Sequence, residues 1–77
     1  MIKVKLFGIA KDIVSAEYYE IQSGINVGEL KNKLSLDYPS FSDLRSFLVA
    51  INNEYAYDEE IMNENDEVAI IPPVSGG

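Results

Sequence analysis

Few residue types in this chain can do chemistry. The 77 residues include no Cys and no His. Disulfides, thiolate nucleophiles, Ser-His and Cys-His pairs, iron–sulfur ligation by Cys and ordinary zinc sites are therefore excluded. What remains are carboxylates, Lys, Arg, Tyr, hydroxyls and the chain termini. The densest carboxylate segment holds Asp58, Glu59, Glu60, Glu64, Asp66 and Glu67. It lacks both the fixed ligand intervals and the Gly that a calcium loop needs for its sharp turn. It reads as a solvated loop, and no metal site is expected. Tyr18, Tyr19, Tyr38, Tyr55 and Tyr57 are numerous for so short a chain. Base stacking would need basic residues interleaved with them, so they read as core or rim residues whose hydroxyls reach water.

The sequence ends in IIPPVSGG. Pro72 and Pro73 remove two backbone donors and hold φ near −65°, so the chain leaves its last strand in an extended direction. From Pro72 to Gly77 the reach is about 20 Å when fully extended. Gly76 and Gly77 have no Cβ, so they can enter a narrow channel. A Gly-Gly end taken alone is more often a frayed terminus than a site. Here it follows directly on a strand, is stiffened by two prolines, and belongs to a chain with no other plausible reactive group. The Gly77 carboxylate itself is then the candidate functional group. A carboxylate is a poor electrophile, so a partner enzyme must first convert it to an acyl-adenylate. Sulfide or an amine can then take the acyl position.

Such a tail has to be carried by a small, rigid body. IKVKLF sets Ile2, Val4 and Leu6 on one face and Lys3, Lys5 and Phe7 on the other, a strand pattern broken by Gly8. IAKDIVS allows one or two helical turns or a wide loop, and EYYEI alternates as a second strand with Tyr19 and Ile21 on one face. Asn26 with Glu29 forms an N-x-x-E capping box, and Val27, Leu30, Leu34 and Tyr38 continue it as one helical stripe that Pro39 closes. FLVAI, from Phe47 to Ile51, is continuously apolar and predicts a buried strand. NNEYAYDEEIMNEND reads as a polar, turn-rich segment with Tyr55, Tyr57, Ile61 and Met62 as possible anchors. EVAII is the final strand. One helix laid across a mixed sheet of about four strands is the economical packing for this order.

Parity raises one further question. Phe7 falls on the face of Lys3 and Lys5, and Ile71 falls opposite Val68 and Ile70. Either both point away from the helix-covered face as an exposed apolar patch, or Gly8 and Pro72 bend the chain and tuck them into the core.

Length and composition set the outer limits. Seventy-seven residues with 47% hydrophobic content describe one globular domain. No apolar run approaches a membrane span, and the N-terminus has a strand pattern and not that of a signal peptide. A soluble, cytoplasmic protein is the expectation. Residues 1–45 carry six bases and six acids, whereas residues 46–77 carry seven acids and no base. That surface repels phosphate backbones, which argues against nucleic acid, and steers basic protein partners toward it.

Several of these stretches together resemble a known family. MIKVKLFG at the start, the V-x-x-L helix entry at Val27 to Leu30, AIN at Ala50 to Asn52 and NDEVAIIPPVSGG at the end are similar to the small subunit of molybdopterin synthase. The resemblance spans essentially the whole chain. Its most specific part is Pro72-Pro73-Val74-Ser75-Gly76-Gly77, which differs from the commoner form of the motif by Ser75 in place of Thr. A bare Gly-Gly end is shared with ubiquitin and with the thiamin-pathway sulfur carrier, and the preceding Pro-Pro-Val-Ser favours the molybdopterin branch.

The resemblance implies an α+β, β-grasp (ubiquitin-like) fold: a mixed sheet of four to five strands covered by one main helix. The domain would span residues 1–71, with a flexible tail at 72–77. It implies a sulfur carrier that is not catalytic alone and binds no cofactor. A ubiquitin-activating-like adenylyltransferase would use ATP to activate Gly77, and the adenylate would be exchanged for a thiocarboxylate. Pro72, Pro73, Val74, Ser75 and Gly76 would enter the large synthase subunit. Two carriers would supply the two dithiolene sulfurs of molybdopterin, in molybdenum cofactor biosynthesis. The complex implied is a heterotetramer of two small and two large subunits, the large ones supplying the catalytic groups. Phe7 and Ile71 match the family's hydrophobic interface around the first and last strands, with Tyr55 beside them. Lys11 falls where the family often has a basic residue. Two other readings stay open: a carrier in another pathway, such as thiamin sulfur transfer or protein tagging, and a non-covalent β-grasp binding module.

Overall fold

Alternation in the first strand fixes which side of the sheet becomes the core. In β1 (Ile2–Leu6) the residues Ile2, Val4 and Leu6 are buried, while Lys3 and Lys5 face solvent. The computed structural model describes residues 1–43 and 47–72 of the chain. Gly8 takes φ +55°, a left-handed conformation that side chains other than glycine's seldom tolerate, and the chain turns there into α1 (Gly8–Val14). The segment that allowed a helix or a loop is thus a two-turn helix. Ser15 ends it at φ 61°, its N–H donating to the Lys11 carbonyl at 2.8 Å. β2 (Tyr18–Ile21) returns antiparallel to β1, with Ile2 opposite Ile21 and Val4 opposite Tyr19.

The main helix, α2 (Val27–Asp37), starts where the N-x-x-E box predicts. Glu29 N–H donates to Asn26 Oδ1 at 2.8 Å, and Asn26 N–H donates to Glu29 Oε1 at 3.2 Å. A helix start leaves four backbone donors without helical partners. Here the other two are also met: Val27 and Gly28 donate to the carbonyls of Glu60 and Asp58. The acidic segment is thereby stitched along the front of α2. Gly24 N–H donating to the Met62 carbonyl and Met62 N–H donating to that of Ile25 extend the stitching. Met62 is fully buried there, whereas Tyr55, Tyr57 and Ile61, the other suggested anchors, are exposed. Val27, Leu30 and Leu34 bury the helix stripe, and α2 stops before Tyr38 and Pro39. A 3-10 turn (Pro39–Asp43) then places Phe41 in the core, edge-on to Tyr38 and Phe47.

β3 (Leu48–Ile51), β4 (Glu54–Tyr55) and β5 (Val68–Ile71) complete a five-stranded sheet in the order β2-β1-β5-β3-β4. β1 and β5 pair in parallel at its centre, and all other pairs are antiparallel. A mixed sheet gripping one main helix on a single face is the β-grasp architecture. Two expectations need correction. The Phe47 to Ile51 run is not buried throughout: β3 starts at Leu48, whose side chain is 47% exposed. The reason is that only one face of the sheet is covered, so an apolar run on it still alternates in burial. Tyr55 also lies on a short strand and not in a loop. Asn52 and Asn53, both at positive φ (52° and 69°), make the two-residue turn that folds β4 back on β3. Among the described residues, no helix is long and apolar enough to cross a membrane.

Candidate functional site

The uncovered face of the sheet carries the candidate site. Strand register lines up Tyr18, Lys5, Ala69, Ala50 and Tyr55 in one row across all five strands. Leu48 and Ile71 lie opposite each other on the same face. Because β1 and β5 run in parallel, they end on the same side, which brings Phe7 beside Ile71. A groove of about 470 Å³ forms over this face, with Phe7, Ile71 and Tyr55 among its walls. Phe7 is 42% exposed and Ile71 half-buried, so the parity question resolves in favour of side chains that face the groove. The Lys5 ammonium sits 5.3 Å from the centre of the Phe7 ring, a cation–π contact that keeps the ring on this face.

Three of the four interface residues that the sequence suggested are therefore brought together. Lys11 is not among them. It lies on α1, with Nζ 3.5 Å from the Glu17 carboxylate, and does not line the groove. Pro72 is the last described residue, half-buried, and it approaches the start of α1 so closely that a Cβ on Gly8 would meet its Cγ at 3.3 Å. Pro73, Val74, Ser75, Gly76 and Gly77 lie outside the described residues.

The lower rim of the groove is held by one asparagine. Asn52 N–H donates to the Glu67 carbonyl at 2.8 Å, and Glu67 N–H donates to Asn52 Oδ1 at 2.9 Å. Asn52 Nδ2 also donates to Asp66 Oδ1 at 3.1 Å. The β3–β4 turn is thus pinned to the start of β5, which sets Asn53 and Glu67 beside the groove. Among the described residues no three carboxylates converge as metal ligands. Asp58, in the acidic run, is instead paired with Lys31 at 2.8 Å. Sequence reasoning placed Lys5 on the face of Phe7 but missed Leu48, Ala50, Glu67 and Ala69 as parts of it. The parity that singled out Ile71 also covers Glu67 and Ala69, four and two residues before it.

With this geometry in view, the comparisons with known proteins are specific. The family model described as the ThiS family matches residues 4–77. The molybdopterin synthase sulfur carrier subunit of Arabidopsis thaliana is 39% identical over 79 residues, covering 99% of this chain and 82% of that protein. The protein of the same name from Dictyostelium discoideum is 40% identical over 81 residues, covering 97% and 94%. Among solved structures, small archaeal modifier protein 1 from Methanosarcina acetivorans superposes with a TM-score of 0.80 at 25% identity, covering 99% of this chain and 95% of that one. The chain belongs to the ThiS family, and its sequence relatives within it are molybdopterin synthase sulfur carrier subunits.

Proposed function

We propose that this chain is the sulfur-carrying small subunit of a molybdopterin synthase, and that its reacting group is the carboxylate of Gly77. The observation that carries the reading is that the family match spans residues 4–77 and so takes in Gly77. The chemistry follows from the terminus. A carboxylate oxygen of Gly77 attacks the α-phosphorus of ATP on an adenylating partner, and pyrophosphate leaves. Sulfide, or a donor that delivers its equivalent, then adds to the acyl carbon, and AMP departs to leave a thiocarboxylate. The carrier next docks on the large synthase subunit through the Phe7, Ile71 and Tyr55 groove, and the tail from Pro72 to Gly76 delivers the thiocarboxylate to a pterin precursor. Two carriers supply the two dithiolene sulfurs, in a complex of two small and two large subunits. Catalytic acids and bases reside on the large subunit. The carrier contributes a thin, side-chain-free end, and a rigid sheet that sets its starting point.

Intact-mass measurement after incubation with the adenylating partner, ATP and a sulfur source tests the proposal directly. The expected product is heavier by the replacement of one oxygen with one sulfur, and deletion of Gly77 abolishes the gain. An unchanged mass with a partner that is competent on another carrier sinks the reading. A second reading has one observation in its favour, the likeness to a small archaeal modifier protein. Attack on the same adenylate by a lysine amine would give an isopeptide. Conjugates heavier than the free chain in the same mass spectra would reveal it.

A further inference from the structure

Two segments leave the sheet side by side. The parallel register pairs Leu6 with Ile70, so Gly8 and Pro72 stand where that ladder would continue two residues on. Neither continues it. Pro72 has no N–H to donate, and Gly8 turns at φ +55° into α1. The two still meet across the gap. A Cβ on Gly8 would lie 3.3 Å from Pro72 Cγ, closer than carbon atoms ordinarily pack.

Left-handed backbone alone does not account for a glycine at position 8. Ser15, Asn52 and Asn53 hold φ of 61°, 52° and 69° with side chains in place. Gly24, also at positive φ, has no heavy atom within 4 Å of the position a Cβ would take. What sets Gly8 apart is lack of room, and the Pro72 ring is what fills it.

A Cβ at this point would press on Pro72, because the backbone around Gly8 is held on both sides. Leu6 N–H donates to the Glu17 carbonyl at 2.9 Å, and Ala10, fully buried, donates its N–H to the Phe7 carbonyl at 3.1 Å. Pro72 follows Ile71, the last residue of β5. A proline ring is closed onto its own backbone nitrogen, so a shift of the ring turns the peptide beyond it. Pro73 to Gly77 span about 17 Å when extended, so a tilt of about 7° at Pro72 moves the end by about 2 Å. Misplacement of a reacting atom by about 1 Å can cost about a hundredfold in rate.

We propose that Gly8 is a positioning residue for sulfur transfer: its missing Cβ seats the Pro72 ring and thereby aims the tail. The inference rests on the sulfur-carrier reading above and adds the residue that sets the tail's starting direction. Gly8 is not among the residues lining the groove, so aiming and docking are separable.

Carrier charged as the thiocarboxylate by sulfide cleavage of an intein fusion needs no adenylating partner. Steady-state sulfur transfer from it to the pterin precursor on the large synthase subunit separates kcat from KM. Gly8→Asn keeps a residue type that tolerates positive φ and adds the Cβ. It is expected to lower kcat about tenfold or more, with KM changed less than about twofold. In a Pro72→Ala background, which lacks Cγ, the same substitution is expected to lower kcat less than about twofold. Thermal melts verify folding. Should Gly8→Asn melt below the assay temperature, Gly8→Ser repeats the test with the residue type that holds φ 61° at position 15. An unchanged kcat, a rise in KM alone, or an equal loss in the Pro72→Ala background overturns the inference and leaves the carrier reading standing. If the unaltered charged chain transfers no sulfur, both fall together.

Discussion

Phe7 and Tyr19 show how far one side chain's surroundings decide its role. Phe7 is almost half exposed and leans on Lys5, so truncating it removes little core. Phe7→Ala should therefore cost less than about 1 kcal/mol of stability, by thermal melting, while still weakening partner binding. Tyr19 is tied inward, its hydroxyl donating to Asp37 Oδ2 at 2.5 Å across the gap between β2 and the end of α2. Burial raises its phenol pKa well above the ordinary 10.0, and the hydrogen bond to Asp37 and the nearby charges of Asp37 and Tyr38 raise it further. A raised folded-state pKa means that the folded protein holds this proton more tightly than the unfolded chain does. Its contribution is full below pH 10 and is lost as the pH rises beyond that. Stability should therefore fall above pH 10, and Tyr19→Phe should flatten that fall in pH-dependent denaturant melts. At the other end of the chain, Gly76→Val should block sulfur transfer by widening the tail, while Ser75→Gly should be tolerated. Full activity in Gly76→Val would refute the narrow-channel argument.

Among the elements, α2 is the most legible in the sequence, because its signals are local. Asn26 and Glu29 mark its start, three buried residues define its stripe and Pro39 ends it. Asn26→Ala removes the box and should cost about 1 kcal/mol. Leu34→Ala opens a cavity in a fully buried layer and should cost about 2–5 kcal/mol, enough to unfold much of so small a domain. Urea melts measure both. β1 was equally plain, since polar and apolar residues alternate strictly along it. β3 misled because every side chain in Phe47 to Ile51 is apolar, and composition alone does not tell the covered face of a sheet from the open one. β4 was hidden by its two-residue length, although Asn52-Asn53 is a two-residue hairpin signal of the left-handed kind. The groove needed strand order as well as strand pattern. Only when β5 is inserted between β1 and β3 do Phe7, Ile71 and Tyr55 come together. Parallel pairing of the first and last strands is a tertiary fact that no local signal records.

At the scale of the molecule, the packed core lies within residues 2–70. Deleting Gly76 and Gly77 should therefore leave the melting temperature unchanged while abolishing thiocarboxylation. A lowered melting temperature in that truncation would show that the tail has a structural role as well. The two faces of the sheet differ: the helix-bearing side holds the packed core, and the bare side is the one proposed for docking. A partner can then grip the bare side without disturbing the packing beneath α2.

The central pairing of β1 with β5 has a mechanical consequence. In a parallel pair, the first residue of β1 and the last residue of β5 lie at opposite ends of the shared ladder. A pull on the tail against a body held by its N-terminal strand loads those hydrogen bonds in shear, all together, and does not peel them open one at a time. In the proposed mechanism, each delivery of cargo ends with the tail being withdrawn from a tight channel. The strand that anchors it is placed where tension along the chain meets the greatest resistance.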